Sequence, residues 1–214
     1  MRADVESWFR RRTSSAEDWP LADLRKAKAA TTVSVVLPAL NEERTVGPIV
    51  ATIRDELVDV TDPVIDELVV LDSGSTDRTS TVAADAGARL VHREDVLPDV
   101  PPLPGKGEAM WRGLAATTGD VVVYLDSDLE EFDIRFVTGL LGPLLTDRDV
   151  HLVKATYDRP LRSGETVLPA GGGRVTEIVA RPLLNLGWPE LAGFVQPLSG
   201  GHAGGRRLLE RIPL

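Results

Sequence analysis

Two carboxylates, Asp126 and Asp128, stand two residues apart where the apolar run Val121-Val122-Val123-Tyr124-Leu125 ends. A continuous β-branched run of this kind reads as a buried parallel strand. Ligands of open α/β sheets sit just beyond the carboxyl ends of such strands. Two acids at that edge repel each other unless a cation lies between them and a further anion. Hard oxygen donors suit Mg²⁺ or Mn²⁺, so the pair points to a divalent cation bridging to a phosphate. An Asp-Ser-Asp turn that caps the following helix has the same pattern, and the tripeptide alone does not separate the two.

Further stretches carry related chemistry. Asp72 closes a second expected buried strand, Ile65 to Leu71, and Ser73-Gly74-Ser75 supplies hydroxyls and open backbone N–H groups. Such a turn suits a ribose or a base; an Asx-turn with Thr76 as a helix cap fits equally well. Gly105-Lys106-Gly107 sets an ammonium among backbone donors at a helix start, which is an anion site fit for a pyrophosphate. An exposed lysine in a flexible loop is the plainer reading. Gly171-Gly172-Gly173-Arg174-Val175-Thr176 repeats the arrangement, with a guanidinium that can fork onto phosphate or carboxylate and a hydroxyl in the first helical turn. A hinge alone needs neither Arg174 nor Thr176, which favours a second anion site. No Gly-x-Gly-x-x-Gly or Walker-type loop accompanies these strands, disfavouring a dinucleotide or a P-loop nucleotide. A metal site, a nucleoside turn and two anion sites together fit group transfer from a nucleoside diphosphate donor to an anionic acceptor.

The elements that must position these residues alternate. Strands are expected over Thr32–Leu37, Ile65–Leu71, Ala88–His92, Asp120–Leu125 and His151–Tyr157. Helices are expected after the Pro38–Glu42 turn to about Leu57, over Thr76–Ala86, after Gly105-Lys106-Gly107 to near Gly119, over Ile134–Leu145 and from Arg174 to about Leu186. A long loop is expected from Pro160 to Gly173, and a glycine-rich turn with a last helix over Gln196–Leu214. This alternation predicts an α/β fold, a mainly parallel sheet flanked by helices with right-handed connections. Leu40-Asn41-Glu42, Asp72-Ser73-Gly74 and Asp126-Ser127-Asp128 then share one edge of the sheet and form one cleft. Residues 1–30 read as a charged arm with Trp8, Phe9 and Trp19, whose aromatics dock on the main body or a second subunit, or which frays. Residues 31–214 form the main domain.

The 214 residues suffice for one domain with a full core. A net charge of −9 argues against general nucleic-acid binding, and 5% aromatic content argues against a single-strand stacking platform. No apolar run approaches the roughly 20 residues of a membrane span. With no cysteines and no apolar core in the first residues, a cytoplasmic protein is expected.

Val35-Val36-Leu37-Pro38-Ala39-Leu40-Asn41-Glu42-Glu43, Leu71-Asp72-Ser73-Gly74-Ser75-Thr76-Asp77 and Asp126-Ser127-Asp128 resemble the nucleotide-sugar half of family 2-like glycosyltransferases with the Rossmann-like GT-A fold, that of nucleotide-diphospho-sugar transferases. Pro104-Gly105-Lys106-Gly107-Glu108-Ala109, Gly171 to Glu177 and Gln196-Pro197-Leu198-Ser199-Gly200 narrow the resemblance to the glucosyl-3-phosphoglycerate synthase family (family 81), over residues from about 31 to the end. The resemblance implies a metal-dependent, retaining transfer of glucose from UDP-glucose to the 2-hydroxyl of 3-phosphoglycerate, by a homodimer. It implies that Pro38, Ala39, Leu40, Glu42 and Ser73 line the uridine pocket and that Lys106 holds the donor. Asp126 and Ser127 would face the sugar nucleotide, and Asp128 would bind Mg²⁺ or Mn²⁺. Gly173, Arg174 and Thr176 would bind the acceptor, with Leu198, Ser199 and Gly200 beside the transferred glucose. Asp126, Asp128 and Ser199 are the catalytic candidates.

Three departures from the family pattern stand out. The family continues past the position of Leu214, with a catalytic-region Glu and a metal-binding His, so this chain is expected to be C-terminally short. Gly201 also stands where an acidic residue is expected, and Glu130-Glu131-Phe132 replaces the usual polar turn. Two other activities fit this pattern: an impaired nucleotide-sugar-binding module, or a related transferase acting on another acceptor such as glycerate or a polyprenyl phosphate.

Overall fold

The computed structural model describes residues 2–157, 161–163, 166–168 and 174–212. The chain divides into two compact units, residues 15–153 with 201–214, and residues 1–14 with 154–200. The arm expected over residues 1–30 therefore contributes to both.

The larger unit is built on strands β1 (Val33–Ala39), β2 (Glu67–Asp72), β3 (Arg89–His92) and β4 (Val121–Tyr124). They are parallel, with β2 and β4 on either side of β1 and β3 beyond β2. The apolar side chains of β1, β2 and β4 are buried along nearly the whole length, as strands covered on both faces require, whereas Leu90 and Val91 of the edge strand β3 are partly buried. β5 (Leu152–Lys154) and β8 (His202–Gly205) complete the order β3-β2-β1-β4-β8-β5, and β8 runs antiparallel to β4. The sheet is thus mainly parallel, as the alternation implied. β8 is a correction: a strand stands where a glycine-rich turn was expected. His202-Ala203-Gly204-Gly205 carries no β-branched signal; pairing with β4 supplies what local propensity lacks.

Helices α2 (Leu21–Lys28), α3 (Val46–Ile53), α4 (Thr79–Asp85), α5 (Lys106–Ala115), α6 (Arg135–Thr146) and α8 (Arg206–Leu209) belong to this unit. After α3 the helix widens by one turn, closed by Asp59 N–H donating to the Arg54 carbonyl at 2.8 Å. Gly87 ends α4 with φ 93°, a conformation that favours glycine. α5 packs on β1 and β2. Gly113 permits that approach, since a Cβ there would stand 2.6 Å from Val36 Cγ1.

In the smaller unit, α1 (Ala3–Arg12) and α7 (Arg181–Gly187) are the regular helices, with one wider turn over Thr176–Ala180 leading into α7. Trp8 packs on Phe194, with ring centroids 5.4 Å apart. The long loop expected from Pro160 holds two short strands, β6 (Leu161–Ser163) and β7 (Thr166–Leu168), paired antiparallel. Their three-residue length explains why periodicity did not reveal them.

Trp19 lies against α6 at Gly142, where an added Cβ would fall inside the indole. Gly to Ala within a helix normally stabilises by about 0.5–1 kcal/mol. Here Gly142→Ala is expected to destabilise by about 1–3 kcal/mol through overpacking. Urea denaturation followed by circular dichroism checks the sign: an unchanged or raised midpoint contradicts this packing.

Candidate active site

The edge formed by the carboxyl ends of β1, β2 and β4 is held together by its own turns. Leu125 N–H donates to the Val36 carbonyl at 3.2 Å, extending the β1–β4 register past Tyr124. The Ser127 hydroxyl then donates to the Pro38 carbonyl at 2.7 Å, and the Thr45 hydroxyl to the Ser127 carbonyl at 2.6 Å. Ser127 is therefore buried and anchors the loop, while Asp128 points to solvent and Asp126 is half-buried. Asp126 pairs with the Lys106 ammonium at the start of α5. Alternation along the tripeptide thus assigns its middle residue to structure and its two acids to the edge.

The β2 turn is tied to the β1 turn in the same way. Ser73 N–H donates to the Ala39 carbonyl at 2.9 Å. Asn41, with φ 60°, accepts from Thr76 N–H at 2.8 Å through its side chain, and its own N–H donates to the Ser75 hydroxyl at 2.9 Å. Glu42 N–H donates to Thr79 Oγ1 at 2.7 Å. The three turns thus share one edge, with Ala39 beside Asp72 in register.

Asp72 is buried and fully engaged. Its Oδ1 accepts from the Ser75 amide at 3.0 Å and hydroxyl at 2.5 Å, its Oδ2 from the Ser80 hydroxyl at 2.6 Å, and His92 Nδ1 stands 3.4 Å from Oδ2. Burial works against the charged form, but the hydrogen bonds from Ser75 and Ser80 outweigh it and hold the carboxyl below the usual range. Asp72 is thus committed to its own turn through the amide three residues on, but Thr76 does not cap the helix as expected: α4 begins at Thr79, whose N–H donates to Asp77 Oδ1 at 2.9 Å. Ser73, half-buried beside it, and the exposed Leu40 keep free surface at the edge.

Glu42 moves the other way. Burial raises its pKa first, and the negative charges of Asp128 and Asp77 add to the rise, against a hydrogen bond from Thr45. Glu42 and Asp128 therefore share a region of negative potential. Among the described residues, no group of three or more His, Cys, Asp or Glu side chains could hold a metal ion. A cation at Asp128 must take most of its ligands from elsewhere. That suits Mg²⁺ or Mn²⁺, which bind through one or two carboxylates together with phosphate oxygens and water.

In the smaller unit, Arg174 is exposed and Thr176 buried, one helical turn before α7. Gly171, Gly172 and Gly173 lie outside the described residues. Ser199 is buried, and its hydroxyl donates to the Ala155 carbonyl at 2.6 Å while its carbonyl accepts from Lys154 Nζ. Gln196 bridges Tyr157, donating to its carbonyl at 2.7 Å. The Gln196–Gly200 motif is thus braced against the segment after β5, with Leu198 exposed. His202 stacks on Tyr124, with ring centroids 4.8 Å apart.

Thr45, Asn41 and Thr79 join the turns, yet the sequence reading passed over Thr45 and Thr79 and gave Asn41 no role beyond its turn. Each acts through a partner more than 30 residues away, and no local spacing signals that.

A model described as glycosyl transferase family 2 matches residues 34–207. A glucosyl-3-phosphoglycerate synthase of Mycolicibacterium smegmatis (strain ATCC 700084 / mc(2)155) is 55% identical over 206 residues, covering 96% of this chain and 67% of its own. The protein of that name from Mycobacterium tuberculosis (strain ATCC 25618 / H37Rv) is 52% identical over 198 residues, 91% of this chain and 60% of its own. A crystal structure of glucosyl-3-phosphoglycerate synthase from Mycobacterium tuberculosis, in complex with Mn²⁺, UDP-glucose and phosphoglyceric acid, superposes with a TM-score of 0.79. It is 51% identical and covers 92% of this chain and 64% of that one. The chain thus spans between 60% and 67% of these relatives' length.

The depressed Asp72 carboxyl sets a pH dependence. Its folded pKa lies below the unfolded value of about 3.9, so its stabilisation is complete above that value and is lost as pH falls through the folded one. Asp72→Asn is expected to cost about 2 kcal/mol at neutral pH. The gap to the unsubstituted protein should narrow below about pH 4. Denaturant titrations at several pH values check this, and a gap independent of pH contradicts it.

Proposed function

The chain belongs to glycosyl transferase family 2, and from that premise we propose that it moves glucose from UDP-glucose to the 2-hydroxyl of 3-phosphoglycerate, with retention of configuration. The observation that carries the reading is the edge itself, where a cation-seeking Asp128, a lysine-paired Asp126 and a serine-rich turn at Asp72 meet at the ends of three adjacent strands. Such an edge matches a nucleoside diphosphate along its length. The names of the relatives supply the sugar and the acceptor.

In this reading Pro38, Ala39, Leu40, Glu42 and Ser73 receive the uridine, and Asp126 and Lys106 the diphosphate and sugar. Asp128 holds Mg²⁺ or Mn²⁺, which supplies positive charge to the diphosphate when bound. As the acceptor's 2-hydroxyl oxygen bonds to glucose C1, the bond from C1 to the β-phosphate oxygen breaks, the hydroxyl proton leaves with the departing UDP, and Lys106 stabilises the negative charge that grows there. Ser127 contributes through its anchor on Pro38, which fixes the two acids on either side of it. Arg174, with Thr176 and Gly173, holds the phosphate and carboxylate of the acceptor and so orients its hydroxyl. Ser199 acts by shaping the loop beside the glucose, since its hydroxyl is committed to Ala155. The reading takes the protein to be a cytoplasmic homodimer; among the described residues no helix is long and apolar enough to cross a membrane.

A second reading, nucleotide-sugar binding without turnover, draws on the finding that among the described residues no group of three or more His, Cys, Asp or Glu side chains could hold a metal ion. Incubation with UDP-glucose, 3-phosphoglycerate and Mg²⁺ separates the two. Acceptor-dependent UDP release supports transfer, whereas metal-dependent UDP binding without release supports the second reading. Arg174→Ala is expected to raise the KM for 3-phosphoglycerate at least tenfold, about the worth of one charge-assisted contact, and to leave UDP affinity unchanged. Equal weakening of both contradicts the acceptor role, as would a preference for glycerate.

A further inference from the structure

Arg112, in the middle of α5, has no solvent exposure and no part in the chemistry described above. A buried guanidinium must be paired and hydrogen-bonded, and its partners are unusual. Nε pairs with Glu108 one turn earlier. Nη1 donates to the carbonyls of Arg93 at 3.0 Å and of Val96, and Nη2 to the carbonyl of Val100 at 2.7 Å. Glu108 Oε1 also accepts the Leu103 amide at 3.4 Å. One ion pair thus collects backbone groups from Arg93 to Leu103, the proline-rich segment that leads into Gly105 and Lys106. That segment includes Leu97 at φ 55°, a left-handed conformation that a leucine adopts only when its surroundings impose it. Val96 and Leu97 anchor the near end of the segment by packing with Leu71 and Ala109. From Val100 to Leu103 the segment is exposed, and its polar anchor is the Glu108–Arg112 pair.

We propose that Arg112 is a positioning residue: with Glu108 it fixes the segment from Val96 to Leu103, and so sets where Lys106 stands against Asp126 and the donor's diphosphate. The inference rests on the reading of Lys106 as a diphosphate ligand. Lys106 is the first residue of α5, so its ammonium inherits its place from the entry of the chain into that helix. The fork of a guanidinium reaches several carbonyls at fixed angles, which a lysine ammonium does not reproduce. A purely stabilising Arg112 would lower the melting temperature but act on donor binding independently of Lys106. A positioning Arg112 acts through Lys106, and the two substitutions then fail to add.

Calorimetric titration of UDP with Mg²⁺ into the unsubstituted chain, Lys106→Ala, Arg112→Lys and the double variant tests this. Each single substitution is expected to weaken UDP roughly tenfold, and the double variant to be no weaker than Lys106→Ala. Losses that multiply in the double variant overturn the proposal, as does wild-type affinity in Arg112→Lys when Lys106→Ala is impaired. Wild-type affinity in Lys106→Ala removes the diphosphate role of Lys106, and this inference with it. Should Arg112→Lys not fold, Glu108→Gln takes its place in the same cycle with the same expected and overturning results. Amide exchange gives the companion readout: faster exchange at Val100 and Leu103 with β1 and β4 unchanged is expected, and unchanged exchange at Val100 and Leu103 counts against the latch.

Discussion

Repulsion between carboxylates at the end of a buried strand is the constraint that the larger unit is arranged to satisfy. Val121 to Leu125 must be apolar to fill the sheet, so the acids that follow emerge at the rim of a low-dielectric core, where like charges interact strongly. Asp126 is neutralised by Lys106. Asp72, one turn along the edge, is stabilised in its charged form by hydroxyl and amide donors, with the His92 ring beside it. Among the described residues Asp128 has neither arrangement, and its charge is felt at Glu42, whose carboxyl is pushed up by burial and then by that neighbour. The negative potential is thus concentrated at one point of the edge. A divalent cation accompanied by a diphosphate relieves it at that point, and a neutral sugar alone does not.

The scaffold holds this arrangement through side chain to backbone bonds between turns. Ser127 to Pro38, Thr45 to Ser127 and Glu42 N–H to Thr79 each join two strand ends. Such bonds add little individually, about 1 kcal/mol, but together they make the three turns one rigid rim. In the proposed transfer such rigidity would have a use, since groups fixed before the reaction need no reorganisation when charge develops. Lys106 is the exception: half-exposed and at a helix start, it depends on its approach segment.

Much of the larger unit was legible in the sequence because its strands are buried on both faces. Val35 to Leu37, Leu68 to Leu71 and Val121 to Leu125 are continuous apolar runs, and the polar residues that follow them mark the edge directly. β8 was not legible, because alanine and glycine carry no strand signal and only the partner strand β4 makes them one. Of the candidate residues, those on strand-end turns stand together on the rim. Gly173 lies outside the described residues, and Arg174, Thr176 and Ser199 belong to the other unit. The residues that were missed, Thr45, Thr79 and Arg112, share one trait: their meaning lies in a partner distant in sequence or in backbone carbonyls that no motif encodes.

If the rim is built to be completed by a cation and a diphosphate together, each must need the other. Calorimetric titration of UDP in Mn²⁺ and in chelator, for the unsubstituted chain and for Asp128→Asn, tests that dependence most directly. Affinity should fall at least tenfold on removing the metal, a loss of about 1.4 kcal/mol or more. Asp128→Asn should bind weakly in both conditions. Equal affinity with and without Mn²⁺, or an unimpaired Asp128→Asn, would contradict the account.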